Sequence, residues 1–355
     1  MKSIYDYVNA NEIAAYYAES ASNKIPYLGA TLWPAKKKLG LDLSWIKGSK
    51  GLPVALKPST FDAKATVRDR IGFKKVETEM PFFRESMRIG EKDRQEINKF
   101  LGSKNIEMIR PIFNKIFDDA GNLVDGAEVN AERMRMQLLS TGKIQITAET
   151  DGERVNYDYD YNLPADNKET LTDTAMWSNV DTAQPISDIQ RIMDDVEERT
   201  GVRPDKAICS RKTWGYLMGN KFIKLDMNPS GDTNRIITDG MVRQYLKDKF
   251  GISVAIYNKK YSLDVHGSSA YQFYPDDKFT FLPPGTLGNT WYGTTPEESD
   301  LTTGQSAADV KIVNTGVAIT TYKEVHPVNV VTLVSAILLP SFESIDQTYI
   351  LTVAA

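Results

Sequence analysis

Apolar positions change their period near Glu91. Through residues 41–85, polar and apolar residues alternate between Gly, Pro and Ser, a strand pattern broken by long loops. Leu43, Trp45, Leu52, Val54 and Leu56 form one face of an expected hairpin, with its tip in PSTFDAKATVRDR (58–70). Beyond Glu91 the apolar positions Ile106, Ile109, Ile112, Phe113, Ile116 and Phe117 recur every three or four residues, which predicts a helix started or kinked at Pro111. DDAGNLVDG (118–126) reads as a turn between two helices. The second helix, AEVNAERMRMQLLSTG, is closed by Gly142.

KIQITAET and ERVNYDYDYN alternate on either side of Asp151-Gly152, the residue pair of a tight hairpin turn. Residues 180–300 then alternate helices and strands. Pro185 opens a helix whose stripe is Ile186, Ile189, Met193 and Val196 and whose end is Gly201. KAICS reads as a strand, RKTWGYLMGN and DGMVRQYLKDKFG as helices, and ISVAIYN and KFTFLP as strands, so helices pack on a small sheet. LTTGQSAADVK (301–311) reads as a connector, and VAITTYKEV, VNVVTLVSAILLP and TYILTVAA as closing strands. Near the start, Asn9 or Asn11 caps a short helix reaching Tyr17. Tyr16, Tyr17, Tyr27, Leu28, Leu32 and Trp33 are too few to close a core and read as anchors on another surface.

The chain has 355 residues, enough for two packed domains with extensions. A net charge of −4 hides an asymmetry: residues 1–75 hold thirteen Lys/Arg against six Asp/Glu, and the rest thirty against forty-one. Such a basic segment suits either nucleic acid or an acidic neighbouring subunit, and a solvated face is the plain alternative. The cations concerned are Lys36, Lys37, Lys38, Lys47, Lys50, Lys57, Arg68 and Arg70. Asp6 and Glu12 interrupt the apolar stretch a signal peptide needs. The greasy run Val328–Leu339 is too short to span a bilayer, so membrane association is not expected and synthesis in the cytoplasm is.

Candidate chemistry is thin. A single cysteine, Cys209, excludes an internal disulfide and a cysteine-based zinc site. It lies in an apolar strand, and His266 and His326 lie in polar loops remote in sequence, so no nucleophile–base pair is evident. DDAGNLVDG fails the calcium-loop pattern, with Ala120 at the third position and Val129 at the twelfth. Phosphate-cradling glycine motifs are absent. Asp194–Asp195 and Glu197–Glu198 read as the wet face of a helix. Tyr157, Tyr159 and Tyr161 alternate with acidic residues rather than cations, which suits packing on a helix better than nucleic-acid stacking. No catalytic, cofactor-binding or metal-binding residue is assigned.

The order of segments nevertheless carries a resemblance. YLGATLWPAKKKLGLDLSWIKG (27–48), ERMRMQLLSTGKI (132–144), MWSNVDTAQPISDI (176–189) and TGVRPDKAICSRKTWGYL (200–217) are followed by FGISVAIYNKKY (250–261), FLPPGTLGNTWYG (281–293) and VSAILLPSFESIDQTYILTVAA (334–355). Together they resemble the lambda-type major capsid protein family, phage capsid protein E, whose fold is that of the HK97-like shell proteins. The resemblance implies an α+β chain with an N-terminal arm (1–45), an extended loop over the adjacent subunit (46–85) and a peripheral domain with a long spine helix (86–180 and 305–355). It also implies an axial domain (181–304). A non-enzymatic head protein follows, self-assembling as pentamers and hexamers into an icosahedral shell around double-stranded DNA that it contacts without sequence preference. A separate scaffolding protein and a portal are the further expected partners, the sequence leaves open whether a decoration protein binds outside, and the virion is the expected location. An encapsulin-like bacterial compartment of the same fold is the alternative. The eight basic residues are then inter-subunit contact candidates.

Overall fold

A computed structural model describes residues 8–21, 27–47, 74–102, 106–150, 153–228, 237–263, 269–301, 308–326 and 328–354. In chain order its elements begin with α1 (Ala10–Ala21), α2 (Leu28–Leu32), β1 (Ala35–Lys37), β2 (Asp42–Lys47), β3 (Lys74–Glu79) and β4 (Phe82–Ile89). Helices α3 (Glu91–Gly102) and α4 (Ile106–Thr141) precede β5 (Lys143–Thr150), β6 (Glu153–Asp160), β7 (Lys168–Thr170) and α5 (Pro185–Thr200). Then come β8 (Lys206–Cys209), α6 (Arg211–Gly219), α7 (Lys221–Met227), α8 (Asp239–Phe250), β9 (Ser253–Ile256), β10 (Lys260–Tyr261), β11 (Tyr271–Gln272) and β12 (Lys278–Leu282). The chain continues through β13 (Thr290–Tyr292), α9 (Pro296–Asp300), β14 (Asp309–Val313), β15 (Val317–Glu324), β16 (Asn329–Pro340) and β17 (Tyr349–Thr352).

Two compact units share these elements: residues 1–44, 77–133 and 289–341 form one, and 45–76, 134–288 and 342–355 the other. Those cuts differ from the boundaries the resemblance implies. Residues 342–355 were expected with the peripheral segment 305–341, but β17 pairs with β7 and β12 inside the α/β lobe.

In the first unit β16 is the hub. It pairs antiparallel with β15 on one side and with β4 and then β13 on the other. Nearly every residue of β16 is buried, which fits an apolar run interrupted by Asn329, Thr332 and Ser335 alone. β14 extends the sheet beyond β15, and β1 adds in parallel to β13. The arm closes on this body. Asn9 Oδ1 caps α1 by accepting from the Glu12 amide at 2.9 Å. The Ala10 amide donates to Asp309 Oδ2 at 2.9 Å. Trp33 is fully buried and its Nε1 donates to the Ser341 carbonyl at 2.6 Å. The surface on which these aromatic anchors rest is therefore the chain's own.

In the second unit the sheet order is β7-β17-β12-β8-β9. Ala207, Cys209, Phe279, Phe281, Leu351 and Val254 share one core with Ile189, Met193 and Val196 of α5, Trp214 and Leu217 of α6, and Val242 and Leu246 of α8. All three helices thus cover the same sheet face. On the opposite face Thr280 Oγ1 donates to the Leu139 carbonyl at 2.8 Å, at the end of α4. Ser210, Asn220 and Thr238 cap α6, α7 and α8.

One expected turn is absent. Residues 118–126 lie inside α4, a single helix of 36 residues. Ala120, Leu123, Val124 and Ala127 are buried at helical spacing, and that burial outweighs the roughly 1 kcal/mol each that Gly121 and Gly126 cost in a helix. Gly142 does end it, at φ +72, where a Cβ would fall 2.7 Å from the Leu163 Cβ. The connector at 301–311 is a strand from Asp309, while residues 302–307 are outside the described residues. Tyr157 and Tyr159 stack on each other at 6.2 Å, and Tyr161 stacks on Trp45 of β2 at 5.2 Å.

Candidate subunit-contact surfaces

The cations singled out from the sequence separate into two groups. Lys36, Lys37 and Lys38 lie on and just after β1, at the rim of the β16 sheet. Parallel pairing with β13 sets their backbone, continued by the Lys38 amide donating to the Tyr292 carbonyl at 2.8 Å. Lys36 is exposed, with Nζ 5.7 Å from the centre of the Trp291 ring, a cation–π contact. Lys37 turns inward. Its Nζ donates to the Gly293 carbonyl at 3.0 Å and pairs with Glu298 of α9. Lys47 is in β2, and its side chain is outside the described residues, as are Lys50, Lys57, Arg68 and Arg70 entirely.

Sequence reasoning missed the acidic counterpart. Thr295 caps α9, and the two glutamates that follow reach different strands. Glu297 is buried, pairs with Arg84 of β4 at 2.7 Å and accepts from Ser335 Oγ of β16 at 2.8 Å. Glu298 takes Lys37 of β1. One helical turn thus ties β1, β4 and β16 together, and the Lys37 charge is used within the subunit. No local sequence signal marks Glu297 and Glu298 apart from other helix-start carboxylates.

In the α/β lobe, side chains with perturbed titration are structural. Cys209 is fully buried, and burial pushes its thiol up to about 12, so it stays protonated at neutral pH. The Asp188 carboxyl is raised, chiefly by desolvation, against the Trp177 Nε1 that donates to it at 3.0 Å. Tyr349 is raised to about 12, first by burial and then by its hydrogen bond to Glu169. His326 is exposed in the turn before β16, and His266 is outside the described residues. Among the described residues no group of three His, Cys, Asp or Glu is placed to hold a metal ion. No described helix is long and apolar enough to cross a membrane.

Apart from Asp188, the carboxylates of α5 sit on its outer face. Arg203 holds Asp194 at 2.7 Å and Glu197 at 2.5 Å, and Arg199 holds Asp195 at 2.9 Å. Glu198 and Asp166 are exposed.

Comparison with known proteins gives these surfaces a context. Residues 10–353 match the family described as phage major capsid protein E. No curated protein matches. A solved structure described as a candidate capsid protein of a prophage of E. coli CFT073 is similar, with 16% identity, TM-score 0.59, and 98% of this chain and 99% of that chain covered. A phage-related protein from Bordetella bronchiseptica RB50 is similar at 10% identity and TM-score 0.54, with 98% of each chain covered. At those identities the likeness is one of fold.

Proposed function

This chain belongs to the phage major capsid protein E family, and we propose that its copies assemble as pentamers and hexamers into the icosahedral shell around a tailed phage's double-stranded DNA. It is a capsid shell protein of HK97-like fold, and its place is the virion. The family match over nearly the whole chain carries this reading.

Its role is structural rather than catalytic. The buried, protonated Cys209 supports that, because a nucleophilic thiol needs an accessible thiolate. Residues 1–45 serve as the arm, 46–81 as the loop over the adjacent subunit and 181–288 as the main part of the axial lobe, since β4, β13 and α9 belong to the β16 unit. Lys36 and Lys38, with Lys47, Lys50, Lys57, Arg68 and Arg70, serve as contacts to neighbouring copies. Lys37 is the weakest of these candidates because Glu298 already neutralises it. The chain is made in the host cytoplasm and works with a separate scaffolding protein and a portal. Its contacts with packaged DNA are to phosphates and indifferent to sequence.

Electron microscopy of particles purified from phage-producing cells, with nuclease-protected nucleic acid quantified, tests this. Closed shells holding double-stranded DNA are expected. Shells holding a protein cargo and no nucleic acid would replace the reading by an encapsulin-like compartment. Material that stays monomeric would remove it.

A further inference from the structure

The five-stranded sheet of the α/β lobe ends in β7 on one side and β9 on the other. Among the described residues each end strand pairs with a single neighbour, β17 or β8. Helix α5 lies over the β7 end, where Arg191 donates to Glu169 at 2.8 Å. Helix α8 lies over the β9 end, where Arg243 donates to the Val254 carbonyl at 2.9 Å.

The two ends differ in charge. Residues 165–170 and α5 hold seven carboxylates against three Lys/Arg. Residues 239–260 hold five Lys/Arg against two carboxylates. Part of each set is neutralised within the lobe, by Arg203 and Arg199 at the acidic end and by the Lys249–Asp226 pair at the basic end. Asp166 and Glu198 at one end, and Lys247 and Lys260 at the other, are exposed.

We propose that the acidic β7 end of one copy docks on the basic β9 end of the next around each capsomer ring, an inference that rests on the shell reading above. Two different but complementary surfaces on one molecule make a head-to-tail contact, and such contacts close into rings when the rotation between copies allows. A contact that serves both five- and six-membered rings must survive a change in that rotation. Ion pairs at a wet rim do so better than interlocked apolar side chains, because charge attraction falls off gradually with separation. Ring formation should therefore weaken as salt rises.

Charge reversal in the full-length chain tests this. At the exposed positions left outside the lobe's own ion pairs, Asp166→Lys with Glu198→Lys puts cations on both ends, and Lys247→Glu with Lys260→Glu puts carboxylates on both. All four side chains are exposed, so circular dichroism and thermal melting should show folded protein. Each double variant is expected to lose about tenfold in particle yield. The quadruple variant, reversed at both ends, should recover assembly. An equimolar mixture of the two double variants can only alternate, so it should form six-membered rings, flat sheets or tubes, but no five-membered rings and no closed shells. Double variants that assemble as the unsubstituted chain does, a folded quadruple variant as defective as the doubles, or pentamers from the mixture would each overturn the inference while leaving the shell reading intact. An unsubstituted chain that forms no particles would overturn both.

Discussion

The β16 sheet draws its parts from three distant stretches of chain, whereas the α/β lobe takes most of its core from residues 165–288 and borrows only β17 and its flank. In the first, residue 10 is tied to residue 309 and residue 33 to residue 341. In the second, α6 and α8 start with their own local caps and pack beside strands close in sequence. Closure by remote parts makes the β16 sheet depend on single long-range anchors. Closure by neighbours spreads the same task over many contacts.

The strongest way to break this contrast is Trp33→Ala. Removing a fully buried indole together with its bond to Ser341 is expected to destabilise the β16 unit by about 3–5 kcal/mol, read by urea unfolding. Hydrogen exchange should rise along β13 and β16 and stay unchanged in β8 and β12. Equal loss of protection in both units would contradict local dependence on the arm. Asn167→Ala probes the attachment of the distant β17 segment to the lobe. Its buried amide donates to the Asp346 carbonyl at 2.8 Å and the Thr348 carbonyl at 2.9 Å, and accepts from Arg199 at 2.7 Å. Leaving these groups unpaired is expected to cost about 2–3 kcal/mol, measured the same way, and a loss under about 1 kcal/mol would mean that β17 is held mainly by its strand pairing.

The smallest effect concerns pH. The hydrogen bond from Lys249, followed by that from Tyr245, holds the Asp226 carboxyl below its usual range. A carboxyl with a depressed folded pKa contributes stability at neutral pH that fades as pH falls below about 4. The group is largely exposed, so the contribution is small. Asp226→Asn should give a melting temperature that falls less between pH 5 and 3, in about those units, than that of the unsubstituted chain. Parallel curves would show that the cluster is energetically silent.

The same contrast explains what could be read from the residues. Alternation, caps and terminal glycines are local signals, so β5, β6, α5, β8, α6, α8 and β12 are legible. Gly201 ends α5 at φ +71, as its position after the stripe predicts. α4 is legible only in halves, because DDAGNLVDG has the composition of a turn while Leu123, Val124 and Ala127 obtain their burial from tertiary contacts. The inward turn of Lys37 toward Glu298, 261 positions away, is invisible locally. So is the opposition of acidic and basic sheet ends, since strand order decides which helices lie at the edges. The wet, acidic face of α5 is plain in the sequence, but its location at the β7 end is not.

The bond between Trp33 and residue 341 also sets a timetable. A ribosome finishes residues 165–288 well before it reaches β16, so most of the α/β core can gather while Leu32 and Trp33 still lack their seat. Domains generally fold as units during synthesis, and late closure leaves apolar side chains open to the wrong neighbour. Where many copies are translated together, each must keep its early residues out of other copies until its own β16 has emerged. The rate at which finished subunits become available for assembly is then governed by the last strands to be translated.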